Sequence, residues 1–90
     1  MDNNRIRDLR EDNFFTQEYV AKKIGVSRVN YTRYELNIRT IPLEILFKIA
    51  CLYRVSVDYL CGITDVRDIK EYVEAFNYNL LTYNLSKIRK

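Results

Sequence analysis

The sequence predicts an all-α protein, five short helices followed by one further C-terminal helix, and three observations carry that prediction. Proline occurs once, at position 42, and glycine twice, at 25 and 62, so the strongest chain breakers are few and widely spaced. The β-branched residues show no sustained two-residue alternation of the kind a half-buried strand needs. Apolar residues instead recur three and four apart, the spacing that lines one face of a helix.

Taken in order, the first helix is predicted over Asn4 to Glu11, with Ile6 and Leu9 inward and its charged residues mostly outward. Asp12, Asn13 and Phe14 then form a link. Thr16 is a natural N-cap, because its hydroxyl can accept from the free amides of the next turn, and Phe15 before it can staple onto Val20. The second helix runs from Gln17 to Lys23 and turns Val20, Ala21 and Ile24 inward. Gly25 follows, where a helix end needs the left-handed backbone conformation that glycine adopts without steric cost. Ser27 then caps again. Only Gly25 to Ser27 separate the second helix from the third, and so brief a connection forces a sharp angle between them.

The third helix is predicted over Arg28 to Glu35. At 100° per residue Tyr31 and Tyr34 share one arc, which should face the core, while Arg28, Val29, Thr32 and Arg33 share the other. Asn37 to Ile41 lack periodicity, and Asn37 can take the left-handed conformation at moderate cost. Pro42 opens the fourth helix at the favoured first position, with Leu43, Leu46, Phe47 and Ala50 repeating at helical spacing. Ser56 caps a short fifth helix, Val57 to Cys61, closed by Gly62.

Residues 66–90 read as a separate piece from the domain at 1–65. Val66, Ile69, Val73, Phe76, Leu80 and Tyr83 are spaced 3, 4, 3, 4, 3, the rhythm of a narrow apolar helical seam, which either pairs with a second copy as a dimerisation element or folds back over the first and fifth helices.

Composition sets the bounds. Ninety residues suffice for one domain and an extra element, and a second ligand-sensing domain is not expected within them. Hydrophobic residues make up 48% and charged residues 30%, ordinary for a globular protein that folds unaided. No apolar stretch reaches the ~18 residues of a membrane span and the start, MDNNRIRD, lacks the apolar core of a secretory signal, so a cytoplasmic location and no membrane partner are expected. With no histidine, Cys51 and Cys61 suggest neither a zinc site nor a disulfide framework, and both are expected as buried helix residues. No cofactor or metal is predicted, and no enzyme: Cys61 has no evident base and the carboxylates are scattered. The net charge of +3 is mild, but residues 16–40 concentrate Lys22, Lys23, Arg28, Arg33 and Arg39 against Glu18 and Glu35, the local excess that phosphate binding requires.

The run TQEYVAKKIGVSRVNYTRYE, followed by RTIPLEILFKIACLYRVSVDYLCG, resembles the five-helix, lambda-repressor-like DNA-binding domain of Cro/Xre helix-turn-helix transcriptional regulators along residues 5–64. Several independent features carry the resemblance: Thr16-Gln17, Ala21, Gly25, Ser27-Arg28, Arg33-Tyr34-Glu35, Pro42-Leu43 and Val57-Asp58-Tyr59-Leu60. It implies a repressor that binds double-stranded DNA as a homodimer, with the third helix in the major groove. Arg28, Val29, Thr32 and Arg33 would read bases: the guanidinium groups can each donate two parallel hydrogen bonds to guanine, Val29 suits a thymine methyl, and Thr32 offers a hydrogen bond or a methyl contact. Thr16, Gln17, Ser27, Asn37 and Arg39 would bind phosphate, Gln17 also buttressing the reading helix. Arg10 and Glu35 match a salt-bridged pair that ties the first helix to the end of the third. Where the family has Asn-Gly after this glutamate, the chain has Leu36-Asn37. Phe14, beyond what the staple requires, is expected as an interface or tail-docking residue. A second functional class stays open, an antitoxin or antirepressor that uses the same fold to hold a protein partner through residues 66–90.

Overall fold

The computed structural model describes residues 4–74, and within them the helices follow in the predicted order: α1 (Asn4–Asp12), α2 (Gln17–Ile24), α3 (Arg28–Glu35), α4 (Leu43–Tyr53) and α5 (Val57–Leu60). A sixth helical segment, α6 (69–74), begins the tail. Among the described residues there is no strand, and no helix is long and apolar enough to cross a membrane.

The boundaries are set by the caps that the sequence marks. Thr16 Oγ accepts from the Tyr19 amide at 3.0 Å, Ser27 Oγ from Asn30 at 3.1 Å and Ser56 Oγ from Tyr59 at 2.9 Å, each contributing about 1 kcal/mol by satisfying an amide that its helix cannot. Gly25 takes the left-handed conformation at φ 75°, and the Val26 amide reaches back to the Ala21 carbonyl to close α2. Asn37 is left-handed as expected, at φ 60°. Two more residues share that conformation without a signal in the sequence: Phe14 at φ 58° and Arg54 at φ 55°, the latter ending α4. Pro42 stands one position earlier than predicted. It is the N-cap of α4, its carbonyl accepting from Ile45 and Leu46, and Leu43 is the first helical residue.

The core gathers Ile6 and Leu9 of α1, Val20, Ala21 and Ile24 of α2, Tyr31 and Tyr34 of α3, and Ile49 and Ala50 of α4, closed below by Val55 and Leu60. α2 packs on α3 and α4, α1 on α3, and α4 on α5. Phe15, ahead of α2, lays its ring against Tyr19, with centroids 4.5 Å apart, and against Tyr53 at 6.2 Å.

Two expectations about α4 and α5 are corrected. Cys51 is exposed and Cys61 half-buried, so neither thiol is a core residue. The predicted α4 stripe also divides. Ala50 is buried and Leu46 half-buried beside Ile45 and Ile49, whereas Leu43 and Phe47 face outward in line with Cys51. Every turn of LEILFKIACLY is apolar, and a domain this small has neighbours for only one stripe of it.

The start of the tail is fastened to the domain. The Arg5 guanidinium donates to the carbonyls of Tyr59 at 2.7 Å and Thr64 at 2.6 Å, pairs with Asp65, and lies 4.3 Å from the Tyr59 ring centre. Arg67 Nη1 donates to Asp12 at 2.9 Å, and the Tyr72 hydroxyl donates to Asp58. Val66 and Ile69 are half-buried, Ile69 lining a cleft with Leu9, Tyr53 and Val55. Val66 and Ile69 thus sit against their own domain, whereas Val73, the next residue of the seam, is exposed. The rest of the seam, Phe76, Leu80 and Tyr83, and the pairing expected of it fall outside the described residues.

Candidate nucleic-acid interface

α3 has two chemically distinct sides. Tyr31, Tyr34 and Glu35 are buried, while Arg28, Val29 and Arg33 are exposed, Val29 at 59%. Neither Arg28 nor Arg33 makes an ion pair among the described residues. Thr32 and Asn30 are half-buried at the edges of the outward arc.

What fixes α3 in place is a charge at its end. Glu35 is 4% exposed, and Arg10 of α1 grips it with two near-parallel bonds, Nε to Oε2 at 2.7 Å and Nη2 to Oε1 at 3.1 Å. The same guanidinium donates to the Phe15 carbonyl at 3.2 Å, which ties in the link before α2. Gln17, in the first turn of α2, donates from Nε2 to Glu35 Oε1 at 3.1 Å and accepts at Oε1 from the Thr32 hydroxyl at 3.0 Å. One carboxylate therefore joins α1, α2 and α3. Burial pushes the Glu35 carboxyl up, but the donors around it, Arg10 foremost, outweigh burial and hold it below the usual carboxylate range. The Tyr31 hydroxyl lies close enough to favour that charge without completing a hydrogen bond to it, and burial pushes its own ionisation up.

Around the outward arc of α3 stand the residues expected at phosphates. The Thr16 and Ser27 oxygens each accept a backbone amide, which leaves each hydroxyl proton free to be donated outward. One proton of the Gln17 amide is likewise not committed to Glu35. Arg39 Nη1 is held by Asn30 Oδ1 at 3.1 Å, so a residue on the edge of α3 aims a cation from the following loop. That loop turns at Asn37 and exposes Leu36 and Ile38, at 57% and 70%. The Asn30–Arg39 link carries no sequence signal, because neither residue lies at a helical spacing from the other. The reach of Gln17 to Glu35 depends on the crossing of two helices and is equally invisible in one dimension.

Comparison with known proteins decides the family. The helix-turn-helix family model matches residues 6–60, from the first core residue of α1 to the end of α5. The chain belongs to the Cro/Xre-type helix-turn-helix regulators. This helix-turn-helix regulator is 38% identical over 98 residues to the HTH-type transcriptional regulator YobD of Bacillus subtilis (strain 168), a match covering 96% of this chain and 88% of that one. It is 39% identical over 57 residues to the cryptic phage CTXphi transcriptional repressor RstR of Vibrio cholerae, covering 63% of this chain and about half, 51%, of the repressor. Among solved structures it is similar to the N-terminal DNA-binding domain of SinR from Bacillus subtilis, with a TM-score of 0.61 and 29% identity over 68% of this chain and 90% of that domain. The family is one of transcription regulators and not an enzyme class.

Proposed function

We propose that this regulator represses transcription by binding a specific double-stranded DNA site, with α3 in the major groove and two copies acting as a two-fold dimer. The observation that supports this most is the outward arc of α3: two arginines that make no ion pair among the described residues and an exposed valine, on a helix anchored from behind by a buried carboxylate. Arg28 and Arg33 present planar donors that match guanine O6 and N7, and Val29 offers an apolar surface to a thymine methyl. Thr16, Gln17, Ser27, Asn37 and Arg39 flank that arc and would hold phosphates, which sets register without carrying sequence information. Two copies related by a two-fold axis would set their reading helices about 34 Å apart, one DNA turn. The name of the relative RstR, a repressor, favours repression over activation.

Selection of random duplexes by the full chain tests this reading. An enriched two-fold motif is expected, with affinity falling steeply as salt rises. Arg28→Ala or Arg33→Ala should relax preference at one position per half-site, at about 1–3 kcal/mol each, with an unchanged melting profile. Failure of the unaltered chain to enrich any duplex even at low salt overturns the proposal.

A further inference from the structure

Thr32 sits on the reading arc, yet the direction of its hydrogen bond is dictated from behind. Glu35 carries a negative charge paired to Arg10, and an ionised carboxylate only accepts hydrogen bonds. The Gln17 amide must therefore turn its NH2 group to Glu35, 3.1 Å away, and its carbonyl oxygen to Thr32, 3.0 Å away. Against a carbonyl the Thr32 hydroxyl must donate, and it has one proton to give. The order Arg10, Glu35, Gln17, Thr32 thus runs in a single polarity, with no member able to reverse while Glu35 stays ionised. Thr32 has no donor left for guanine O6 or N7, for adenine N7 or for thymine O4, and its oxygen, which could still accept from adenine N6 or cytosine N4, is turned toward Gln17. The other branch of the same Cβ is a methyl group, which no hydrogen bond restrains. Val29, three residues earlier and 59% exposed, is its neighbour on the same arc.

We propose that Thr32 reads DNA with its methyl group and not its hydroxyl, forming with Val29 an apolar notch for the 5-methyl group of a thymine, and that Gln17 is the positioning residue that turns the hydroxyl away. The inference rests on the DNA reading above and narrows it to one chemical feature of the site. The thymine methyl is the only apolar group that a base pair displays in the major groove.

The test uses 2′-deoxyuridine, which lacks that methyl and nothing else. Each thymine of the best selected duplex is replaced in turn and affinity for the full chain is measured, with thermal melts of every variant to confirm folding. One replacement per half-site should weaken binding about fourfold, the effect of removing one buried methyl from water-excluded contact. Thr32→Val, which keeps the apolar branches and lacks the hydroxyl, should keep that penalty. Thr32→Ser, which keeps the hydroxyl and lacks the methyl, should lose it. A selected duplex indifferent to uridine at every position overturns this inference and leaves the DNA reading standing, as does a penalty that survives in Thr32→Ser and vanishes in Thr32→Val. No enriched duplex at all overturns both.

Discussion

Residues 16–35 and residues 43–74 are each built from short helices with tight capped joints, but they hold their shape by different means. The α2–α3 joint is closed by Gly25, which takes its left-handed conformation freely, and α3 is then anchored through Glu35 by polar bonds from α1 and α2. The α4–α5 joint is closed by Arg54 at nearly the same φ, 55° against 75°, with a side chain that disfavours it. α4 is held by the apolar contact of one stripe, with Leu43 and Phe47 left outward. The first region has its orientation specified by directional bonds to a single buried charge, which would keep the proposed base-reading surface in register. In the second, α4 needs only enough apolar burial to support the first region, while polar bonds of Arg5, Arg67 and Tyr72 fasten the start of the tail.

The largest effect should come from breaking the charge network. Arg10→Ala leaves Glu35 buried without its cation, and loss of one partner of such a pair costs about 3–5 kcal/mol. In a domain this size that is a fall in Tm of at least ~12 °C. The same network sets an acid limit. Because the folded-state Glu35 carboxyl titrates below its ordinary range, its contribution is full above that range, about pH 4.3 for glutamate, and is lost as pH falls below it. The Tm of the unaltered chain should therefore fall more steeply between pH 6 and pH 3 than that of Glu35→Gln. Parallel curves, or an Arg10→Ala melt equal to that of the unaltered chain, would reduce the network to an ordinary surface pair and remove the distinction between the two regions.

The two joints allow a sharper comparison, at smaller cost. Among the described residues a Cβ on Gly25 would meet only Lys48 Nζ, at 3.8 Å, an ordinary contact, so Gly25→Ala isolates the penalty of a left-handed alanine, about 1–2 kcal/mol. Arg54→Gly relieves that same penalty and adds unfolded-state freedom, a balance of about 0.5 kcal/mol in favour of the variant. Opposite signs in paired chemical denaturations are expected. Destabilisation by both would mean that Arg54 is held by contacts of its own and that the joints are alike after all.

The contrast also explains what could be read in advance. α3 was legible to the residue because Ser27 is a natural N-cap and because Tyr31 and Tyr34 share one arc of a mostly polar helix. Gly25 and Asn37 were legible because few residues tolerate a positive φ. α4 was not legible in the same way. In LEILFKIACLY the stripe through Leu43 and Phe47 is as apolar as the one through Ile45 and Ile49, and only the position of α2 and α5 selects between them. The Arg10–Glu35 pair was accessible through family resemblance alone, twenty-five residues apart in sequence, and its extension through Gln17 to Thr32 required the crossing of the helices.

The smallest predicted effect tests that last point, the choice of stripe on α4. Cys51 is exposed, on the outward side with Leu43 and Phe47. Cys51→Ser changes a sulfur to an oxygen with little change in shape, so at an exposed site it should alter stability by less than about 0.5 kcal/mol. At a buried site the new hydroxyl would lack a partner and cost about 1–3 kcal/mol. Thiol labelling of the native protein gives the same answer by another route: Cys51 should react before the half-buried Cys61, and Cys51→Ser should remove the faster phase. A destabilised Cys51→Ser together with a slow-reacting thiol would turn α4 about its axis, placing Leu43 and Phe47 in the core and Ile49 outside it. The apolar support beneath α3 would then be a different set of residues.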